Sequence, residues 1–392
     1  MKRILLVTVL CVLILQAGAF AQVEGINIFG YYQGQFEQSI VSGKGLNRAW
    51  NTLNLQQMNI MLSKDLSPAF SSFISLQLST NFNSAKGWGS LNVEEAWVKY
   101  RGSDYFNIKA GLLVPTFNNF NEIKTKTPLL PYIMRPLVYE SPMADLVSAT
   151  NFIPENAFFQ IYGVLPAGPV KIDYAVYAGN NQPDFISTVT KSASLSGQDT
   201  SKFKLFGGRI GVRSGSLKIG VSGTYDRTNP GSPYALPAYF RGTPLFTVAG
   251  MIGPVVRNRI GVDASYQVAG FTVEGEYIGV MHTLTESQKS FLKMVPLLTA
   301  GNLYDDLDKA TYYVTLVYDF NEEWYSYASY AKLQDNFNVV FHSGMNNYSV
   351  GGGYRPTGSV VVKAQYAKYE MIDRVVADFA MDRYSLAVSV YF

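Results

Sequence analysis

The sequence has very few of the residues that form disulfides and metal sites. Its 392 residues include one cysteine, Cys11, and only two histidines. A single thiol cannot close an internal disulfide, and transition-metal sites in proteins are built mainly from Cys and His side chains. The composition therefore excludes a disulfide framework, and we predict neither a metal site nor another cofactor.

Charge is also scarce. Charged residues make up 16% of the chain, against about 25% in typical soluble domains. The 32 basic and 29 acidic residues nearly balance, which excludes the strongly basic surface of a nucleic-acid-binding protein. The chain is instead rich in Tyr (27), Phe (24) and Gly (34), a composition that favours strands and tight turns over helices.

Long hydrophobic runs are confined to the first residues. Lys2 and Arg3 precede an apolar run at 4–15, and a small-x-small pattern follows at 19–21. This pattern predicts a signal peptide over 1–21, whose removal lowers the formal charge from +3 to +1. A transmembrane anchor is less favoured because the run is shorter than the ~20 residues that span a bilayer. No later run has the length of a spanning helix, so residues 22–392 can enter a membrane only as strands.

Sixteen strand-like segments can be placed along residues 22–392. They span 26–39, 51–63, 69–81, 90–101, 105–116, 156–165, 169–179, 203–213, 216–226, 257–268, 271–283, 310–319, 324–335, 344–355, 359–369 and 380–392. Their lengths lie near or above the ~9–11 residues that a tilted strand needs to cross a bilayer.

The connections between these segments alternate strictly between short and long. The short ones are 64–68, 102–104, 166–168, 214–216, 269–270, 321–323 and 356–358. The long ones are 40–50, 82–89, 117–155, 180–202, 227–256, 284–309, 336–343 and 371–379. Strict alternation puts every short turn on one side of the sheet, as in transmembrane barrels. We predict an all-β fold: a transmembrane antiparallel β-barrel with short periplasmic turns and long extracellular loops.

Hydrophobicity alternates along the segments. In 257–268, Ile260 and Val262 share one face, while Arg257, Arg259 and Asp263 share the other. The polar face predicts either the exposed side of an ordinary sheet or the lumen of a barrel. The predicted pore-lining residues are Lys99, Arg101, Lys109, Arg209, Arg213, Lys218, Arg257, Arg259, Asp263, Glu274, Glu276, Lys363 and Arg383. Lys171, Glu95, Asp173, Asp226 and Asp319 are assigned to the same face.

Aromatic residues concentrate near the segment ends. Those near the short turns are Tyr100, Tyr105, Phe320, Trp324, Tyr391 and Phe392, and those near the long loops are Trp50, Trp88, Tyr225 and Tyr369. This distribution predicts two aromatic girdles at the two membrane interfaces.

The last segment alternates up to the final residue. Its apolar positions are Tyr384, Leu386, Val388, Val390 and Phe392. An unpaired terminal strand would promote aggregation, so we expect it to pair with the first strand and close the barrel.

With these features in place, the chain resembles the sixteen-stranded general porins of the bacterial outer membrane. Its overall architecture is similar to that of the phosphate-selective porin O/P group, but those pores carry many inward lysines. This sequence has no ladder of lysines on neighbouring strands, so the resemblance does not extend to phosphate selectivity. It does imply contact with the lipid bilayer and lipopolysaccharide, small hydrophilic solutes, and a homotrimer. It also implies that the alternation ending in Phe392 is the signal for the outer-membrane assembly machinery.

The longest connection, 117–155, is unusually apolar for a loop. Exposing so many Pro, Leu, Ile and Met residues to water would be unfavourable, and the resemblance implies a constriction loop folded into the lumen. Packing over the barrel rim or in a subunit contact stays open as an alternative. The charged residues that would set the field of the constriction are Lys124, Lys126, Arg135, Glu140 and Asp145. The first strand begins soon after Gln22, so we expect no N-terminal plug.

An enzymatic function is disfavoured by the lack of a general base beside a nucleophile. His282 ends a strand, and His342 lies next to Ser343 in a loop, which is not the pattern of a catalytic triad. We predict a channel for passive diffusion of small hydrophilic solutes or ions, weakly anion-preferring because inward cations outnumber inward anions. The alternative is a surface barrel that acts as an adhesin or receptor through its long loops.

Overall fold

The computed structural model describes residues 25–43, 47–79, 90–139, 152–180, 203–227, 239–240, 243–244, 255–293, 307–335, 343–371 and 379–392. The predicted signal peptide, Trp88, Glu140, Asp145 and His342 lie outside these ranges.

Sixteen antiparallel strands form a closed barrel. They are β1 (Ile26–Gly43), β2 (Arg48–Ser67), β3 (Phe70–Ser79), β4 (Ser90–Ser103), β5 (Phe106–Leu113), β6 (Ala157–Ala167), β7 (Val170–Asn180), β8 (Lys204–Ser214), β9 (Leu217–Arg227), β10 (Val256–Val268), β11 (Phe271–Thr283), β12 (Leu307–Asp319), β13 (Trp324–Asp335), β14 (Ser343–Thr357), β15 (Val360–Met371) and β16 (Phe379–Tyr391). Each strand pairs with its neighbours in the chain, and β16 also pairs with β1. The predicted sixteen-stranded all-β barrel is confirmed.

The outer face of the barrel wall is apolar and the inner face is polar, which is the reverse of the distribution in a soluble protein. Leu53, Ile210 and Leu386 are more than half exposed, whereas Gln33 and Asn59 are fully buried. Apolar side chains therefore point outward and polar ones point into the barrel. Such an inverted distribution is stable only if the outer face meets lipid.

Barrel closure involves the last residue of the chain. The amide of Gly30 donates to the carbonyl oxygen of Phe392 at 2.8 Å, and the amide of Phe392 donates back at 3.0 Å. A Cβ atom at Gly30 would lie 2.7 Å from the Phe392 ring, so the ring lies where any larger residue would clash. The C-terminal strand is thus paired along its length, which removes the edge that it would otherwise expose.

Two of the residues predicted for the aromatic girdles lie inside the barrel. Tyr391 donates a hydrogen bond to the carbonyl oxygen of Pro128 in the loop that follows β5, and Tyr369 is buried in the interior core. Their assignment to the girdles is wrong because alternation places both on the inward face. Trp324 and Phe392 are exposed, as expected for the short-turn side.

The three consecutive glycines at 351–353 accommodate tyrosine rings. Cβ atoms built on Gly351 and Gly353 would lie 2.7 Å from the ring of Tyr327 and 2.4 Å from that of Tyr325. β14 pairs regularly with both neighbours through these residues, and its register shift lies at 354–357. Gly351 and Gly353 therefore leave room for inward-facing rings of the neighbouring strand.

Two long loops contain short elements that the sequence analysis missed. A two-stranded hairpin pairs Tyr239–Phe240 with Thr243–Pro244, and a helix, α1, spans Glu286–Lys293. Thr285 and Gln288 form reciprocal backbone–side-chain hydrogen bonds at the start of α1. This is a capping box, and the Thr-x-x-Gln spacing could have predicted it.

The described helices are all too short or too polar to cross a membrane.

Candidate pore and constriction loop

The chain that leaves β5 runs through the interior of the barrel. Its residues Phe117, Phe120 and Ile133 are at most 1% exposed. Phe120 packs against Tyr132, Tyr139 and inward-facing Tyr313, with ring centroids 4.5–6.2 Å apart. The apolar content of this loop therefore forms a core within the barrel, where it is shielded from water.

Two carboxylates of β11, both predicted to line the pore, contact this loop. Glu276 accepts hydrogen bonds from the amide of Phe120 at 2.7 Å and the hydroxyl of Tyr139 at 2.5 Å. Burial, together with the nearby Glu276, raises the pKa of Tyr139 well above its usual value, so the phenol keeps the proton that it donates. Glu274 accepts from the hydroxyl of Tyr132 at 2.8 Å. Both carboxylates thus fix the loop to the wall.

The next part of the loop is bound by β15. The side-chain oxygen of Gln365 accepts from the amides of Ile133 at 2.7 Å and Met134 at 2.8 Å. Lys363, only 2% exposed, donates to loop carbonyl oxygens, including that of Leu130 at 2.6 Å. A buried lysine that contacts backbone oxygens is bound within the protein and does not meet solutes directly.

Arg383 of β16 lies beneath the same loop. Its guanidinium is 3.2 Å from the carboxylate of Glu37 and 3.6 Å from the sulfur of Met134. The residue is 7% exposed, so its charge is neutralised by a wall carboxylate.

The wall of β7–β10 carries several ion pairs and also contacts the loop, since the amide of Asn118 donates to the hydroxyl of Ser222 at 2.8 Å. Arg209 bonds both Asp173 and Asp263, the latter at 2.7 Å, and Arg213 is 2.8 Å from Asp173. Arg257 and Arg259 both pair with Asp226. Guanidinium–carboxylate pairs of this kind hold charge in a buried place because each charge has a partner.

Exposed cations occur at the short-turn end of these strands. Arg213 lies directly opposite Lys171 on β7 and Lys218 on β9, and all three side chains are exposed. Like charges opposite each other across a sheet are destabilising. We call these three residues the basic row; it supplies positive potential at this end of the lumen.

Further along the wall, β4 and β5 add cations that have partners. Arg101 is 2.9 Å from Asp65. Lys109 is 3.9 Å from Glu122 of the loop and lies 4.8 Å from the ring centroid of Trp97. Lys99 lies opposite Lys109 in register and 5.5 Å from the ring centroid of Tyr162.

The predicted pore-lining residues therefore fall into two groups. Those buried by the loop or by ion pairs are Arg209, Arg257, Arg259, Asp263, Glu276, Lys363 and Arg383. Those that keep exposure are Lys99, Arg101, Lys109, Arg213, Lys218 and Glu274.

The described cations of the candidate constriction are half-buried, and carboxylates lie near Lys124. Lys124, Lys126 and Arg135 all keep partial exposure, and Arg135 donates to the carbonyl oxygen of Lys124 at 2.8 Å. Burial lowers the pKa of Lys124 to about 8, an effect that Glu155 opposes and Arg135 reinforces. Glu94 of β4 is close enough to affect the same pKa, so charges of both signs share this part of the lumen.

Glu94 is an inward residue that the sequence analysis missed. It accepts hydrogen bonds from Asn59 at 2.8 Å and Ser75 at 3.0 Å, both on the inner wall. The register of β3 and β4 shifts here, because Ser75 pairs with Glu95 and Leu76 pairs with Val93. This bulge turns two consecutive side chains inward, which strict alternation cannot predict.

Comparison of the sequence with family models and with curated proteins finds no match. The fold, in contrast, is similar to many solved structures. An anion-selective porin from Comamonas acidovorans has a TM-score of 0.57 and 12% identity, covering 94% of this chain and 100% of that one. The outer membrane channel DcaP of Acinetobacter baumannii has a TM-score of 0.58 and 9% identity, with 94% and 97% covered.

A third similar structure is OmpT of Vibrio cholerae in a trimer form, with a TM-score of 0.56 and 11% identity, covering 94% of this chain and 100% of that one. At these identities the likeness concerns the fold. The chain has the fold of the outer-membrane porins.

Proposed function

We propose that the protein is a porin of the bacterial outer membrane that lets small hydrophilic solutes and ions diffuse passively. The observation that carries the proposal is the closed sixteen-stranded barrel, with an apolar outer face and a polar inner wall. A barrel of this size encloses an aqueous channel that wall side chains alone cannot fill. The loop after β5 would then act as the constriction.

The proposed channel prefers anions weakly. The basic row of Lys171, Arg213 and Lys218 supports this preference, because fixed charge in a pore attracts counter-ions. Glu94 lies near the loop cation Lys124, which keeps the preference small.

We also propose that the protein is a homotrimer inserted among lipid and lipopolysaccharide by the outer-membrane assembly machinery. OmpT of Vibrio cholerae, which has the same fold, is known in a trimer form. The outward row of Tyr384, Leu386 and Val388 is exposed and forms the C-terminal signal together with Val390 and Phe392. Cross-linking of the detergent-solubilised protein would measure the number of subunits.

We propose no catalytic role. His282 is fully buried on β11, where a solute in the lumen cannot contact it. Asp263 and Glu276 lie opposite each other in register, but Asp263 is paired with Arg209 and Glu276 binds the loop. Neither is available as the acid or base of a hydrolytic reaction.

The test is electrical recording from the purified protein in a planar bilayer. Steady single-channel openings, with a reversal potential under a salt gradient that favours anions, are expected for a porin of this kind. A cation-selective reversal potential would overturn the anion preference. If the planar bilayer shows no steady conductance and liposomes that contain the protein do not swell in sugar solutions, an adhesin or receptor barrel is favoured instead.

A further inference from the structure

Lys363 has an unusual set of contacts for a lysine on a barrel wall. Its ammonium is 2.6 Å from the carbonyl oxygen of Leu130, 2.9 Å from that of Pro128, and 3.2 Å from that of Thr127. A fourth carbonyl, that of Tyr132, lies at 3.5 Å. All four oxygens belong to one short segment of the loop, 127–132.

The wall contributes a fifth oxygen from the neighbourhood of the barrel closure. The side-chain oxygen of Gln33 on β1 is 3.1 Å from the ammonium and also accepts from Ser389 on β16 at 2.7 Å. In the part of the chain that the structure describes, no carboxylate is within ion-pair distance of Lys363. The ammonium is therefore bound only by neutral oxygens, four of them from the loop.

The segment 127–132 cannot satisfy all of these carbonyl groups by itself. It contains one 3₁₀ turn over Thr127–Leu129, in which the amide of Leu130 donates to the carbonyl oxygen of Thr127 at 3.0 Å. Among the described residues, Lys363 is the donor to the carbonyl oxygens of Leu130 and Tyr132. Buried backbone acceptors without a partner are unfavourable, whereas a charged donor forms strong hydrogen bonds with them. An ammonium with three N–H groups can serve several oxygens at once.

Two tyrosines support the same segment more weakly. Tyr325 donates to Pro131 at 2.9 Å and Tyr391 donates to Pro128 at 3.0 Å. Each is a single neutral hydrogen bond, and each holds the loop from the side. Lys363 is the charged group on which the segment converges.

We propose that Lys363 is a positioning residue that sets the aperture of the pore by fixing segment 127–132 against the wall. The inference rests on the proposed function, since it assumes that the barrel conducts. Without the ammonium, the carbonyl oxygens of Thr127 and Pro128 keep the amide of Leu130 and the hydroxyl of Tyr391. Those of Leu130 and Tyr132 gain partners only by moving into water. The loop would then leave the wall and change the cross-section of the lumen.

The first test compares the single-channel conductance of Lys363→Met and Lys218→Met. Both remove one inward positive charge, but Lys218 is an exposed member of the basic row and contacts no part of the loop segment. We expect Lys363→Met to change the conductance by about 1.5-fold or more, with added current noise, because conductance follows the pore cross-section. Lys363→Gln keeps two uncharged N–H donors, so its conductance should lie between those of Lys363→Met and Lys218→Met.

The second test does not require conduction. Ile133, next to the segment, is 0% exposed, and Cys11 is the only native cysteine. Ile133→Cys in a Cys11→Ser background should react slowly with a water-soluble thiol reagent, and about 10-fold faster when Lys363→Met is added, because local opening exposes buried groups. Heat modifiability on gels confirms that each variant forms a barrel.

The outcomes separate the two proposals. A wild-type protein that does not conduct overturns the porin function, while the labelling rates still decide the role of Lys363. If Lys363→Met and Lys363→Gln leave conductance and Ile133→Cys labelling at wild-type values, Lys363 does not position the loop.

Discussion

The inner wall of this barrel has two regions that are built on different principles. On β11–β16 and β1 the inward side chains are mainly tyrosines, aliphatic residues and uncharged polar residues with isolated charges, and several of them bind the apolar loop. On β7–β10 the inward side chains include Asp and Arg residues that bind one another. We call them the loop-bound wall and the ion-paired wall.

The difference shows that an inward position does not determine which partners a charged side chain has. Lys363 and Arg209 are both inward, and both are buried, but one serves backbone oxygens and the other serves two carboxylates. Exposed residues such as Lys171 and Lys218 face the lumen instead. Substitutions in the two walls should therefore differ in what they break, namely stability in one and loop position in the other.

The largest effect is expected in the ion-paired wall. Arg209→Met leaves the carboxylates of Asp173 and Asp263 without their shared cation, and both are buried. Breaking a buried pair by removing one partner costs about 3–5 kcal/mol. Thermal unfolding followed by loss of heat modifiability should shift downward in this variant.

The matched control removes the charges together. In Arg209→Met combined with Asp263→Leu and Asp173→Asn, no buried charge lacks a partner, so a large part of the stability should return. A single variant as stable as the wild type would contradict the view that these pairs hold the wall together.

A smaller effect on stability is expected in the loop-bound wall, because the loop can move so that its freed donors reach water. Glu276→Leu removes the acceptor of the amide of Phe120 and the hydroxyl of Tyr139. Leaving buried donors unsatisfied costs about 1–3 kcal/mol each, and Tyr139→Phe in the same background should recover part of the loss. The single-channel current should also become noisier, which Arg209→Met is not expected to cause. Equal noise in the two variants would erase the distinction between the walls.

The inward face of many strands could be predicted from the sequence, but the partners of the inward side chains could not. Period-two alternation assigns Arg257, Asp263 and Glu276 to one face, and the structure places all three inside the barrel. What alternation cannot provide is the partner, because Glu276 and Phe120 are 156 residues apart. The apolar composition of loop 117–155 indicates that it packs somewhere, but not which strands receive it.

Local irregularities account for the remaining differences. Glu94 faces inward because of a bulge, and α1 forms in a long loop on a capping box. The bulge depends on one extra residue in β4, and the capping box depends on the exact spacing of Thr285 and Gln288. A pattern of alternating hydrophobicity over a whole strand does not show either feature. Tyr391 was misassigned for another reason, since an aromatic residue at a strand end fits either a membrane interface or an interior contact.

The basic row offers a test of the lumen that leaves both walls intact. Lys171→Gln and Lys218→Gln remove exposed charges that lie opposite Arg213, so stability should change by less than about 0.5 kcal/mol. The anion-to-cation permeability ratio should fall by about twofold, since counter-ion attraction depends on the fixed charge. Measurement at low and high salt provides the control, because screening should reduce the difference. An unchanged reversal potential would show that the basic row does not cause the proposed anion preference.

The smallest expected effect is the pH dependence of the constriction. The pKa of Lys124 is lowered to about 8, so the side chain loses its positive charge as the pH rises from 7 to 9. Glu94 and Glu155 are close enough to affect that pKa, and both act to raise it. The local field therefore becomes more negative at high pH, and the anion-to-cation permeability ratio should fall by less than about twofold. Lys124→Met should show the lower ratio throughout and no step near pH 8. A step of equal size in Lys124→Met would show that another group titrates. If the step is lost in Lys124→Met, it belongs to Lys124, and hence to the loop that the loop-bound wall holds in the lumen.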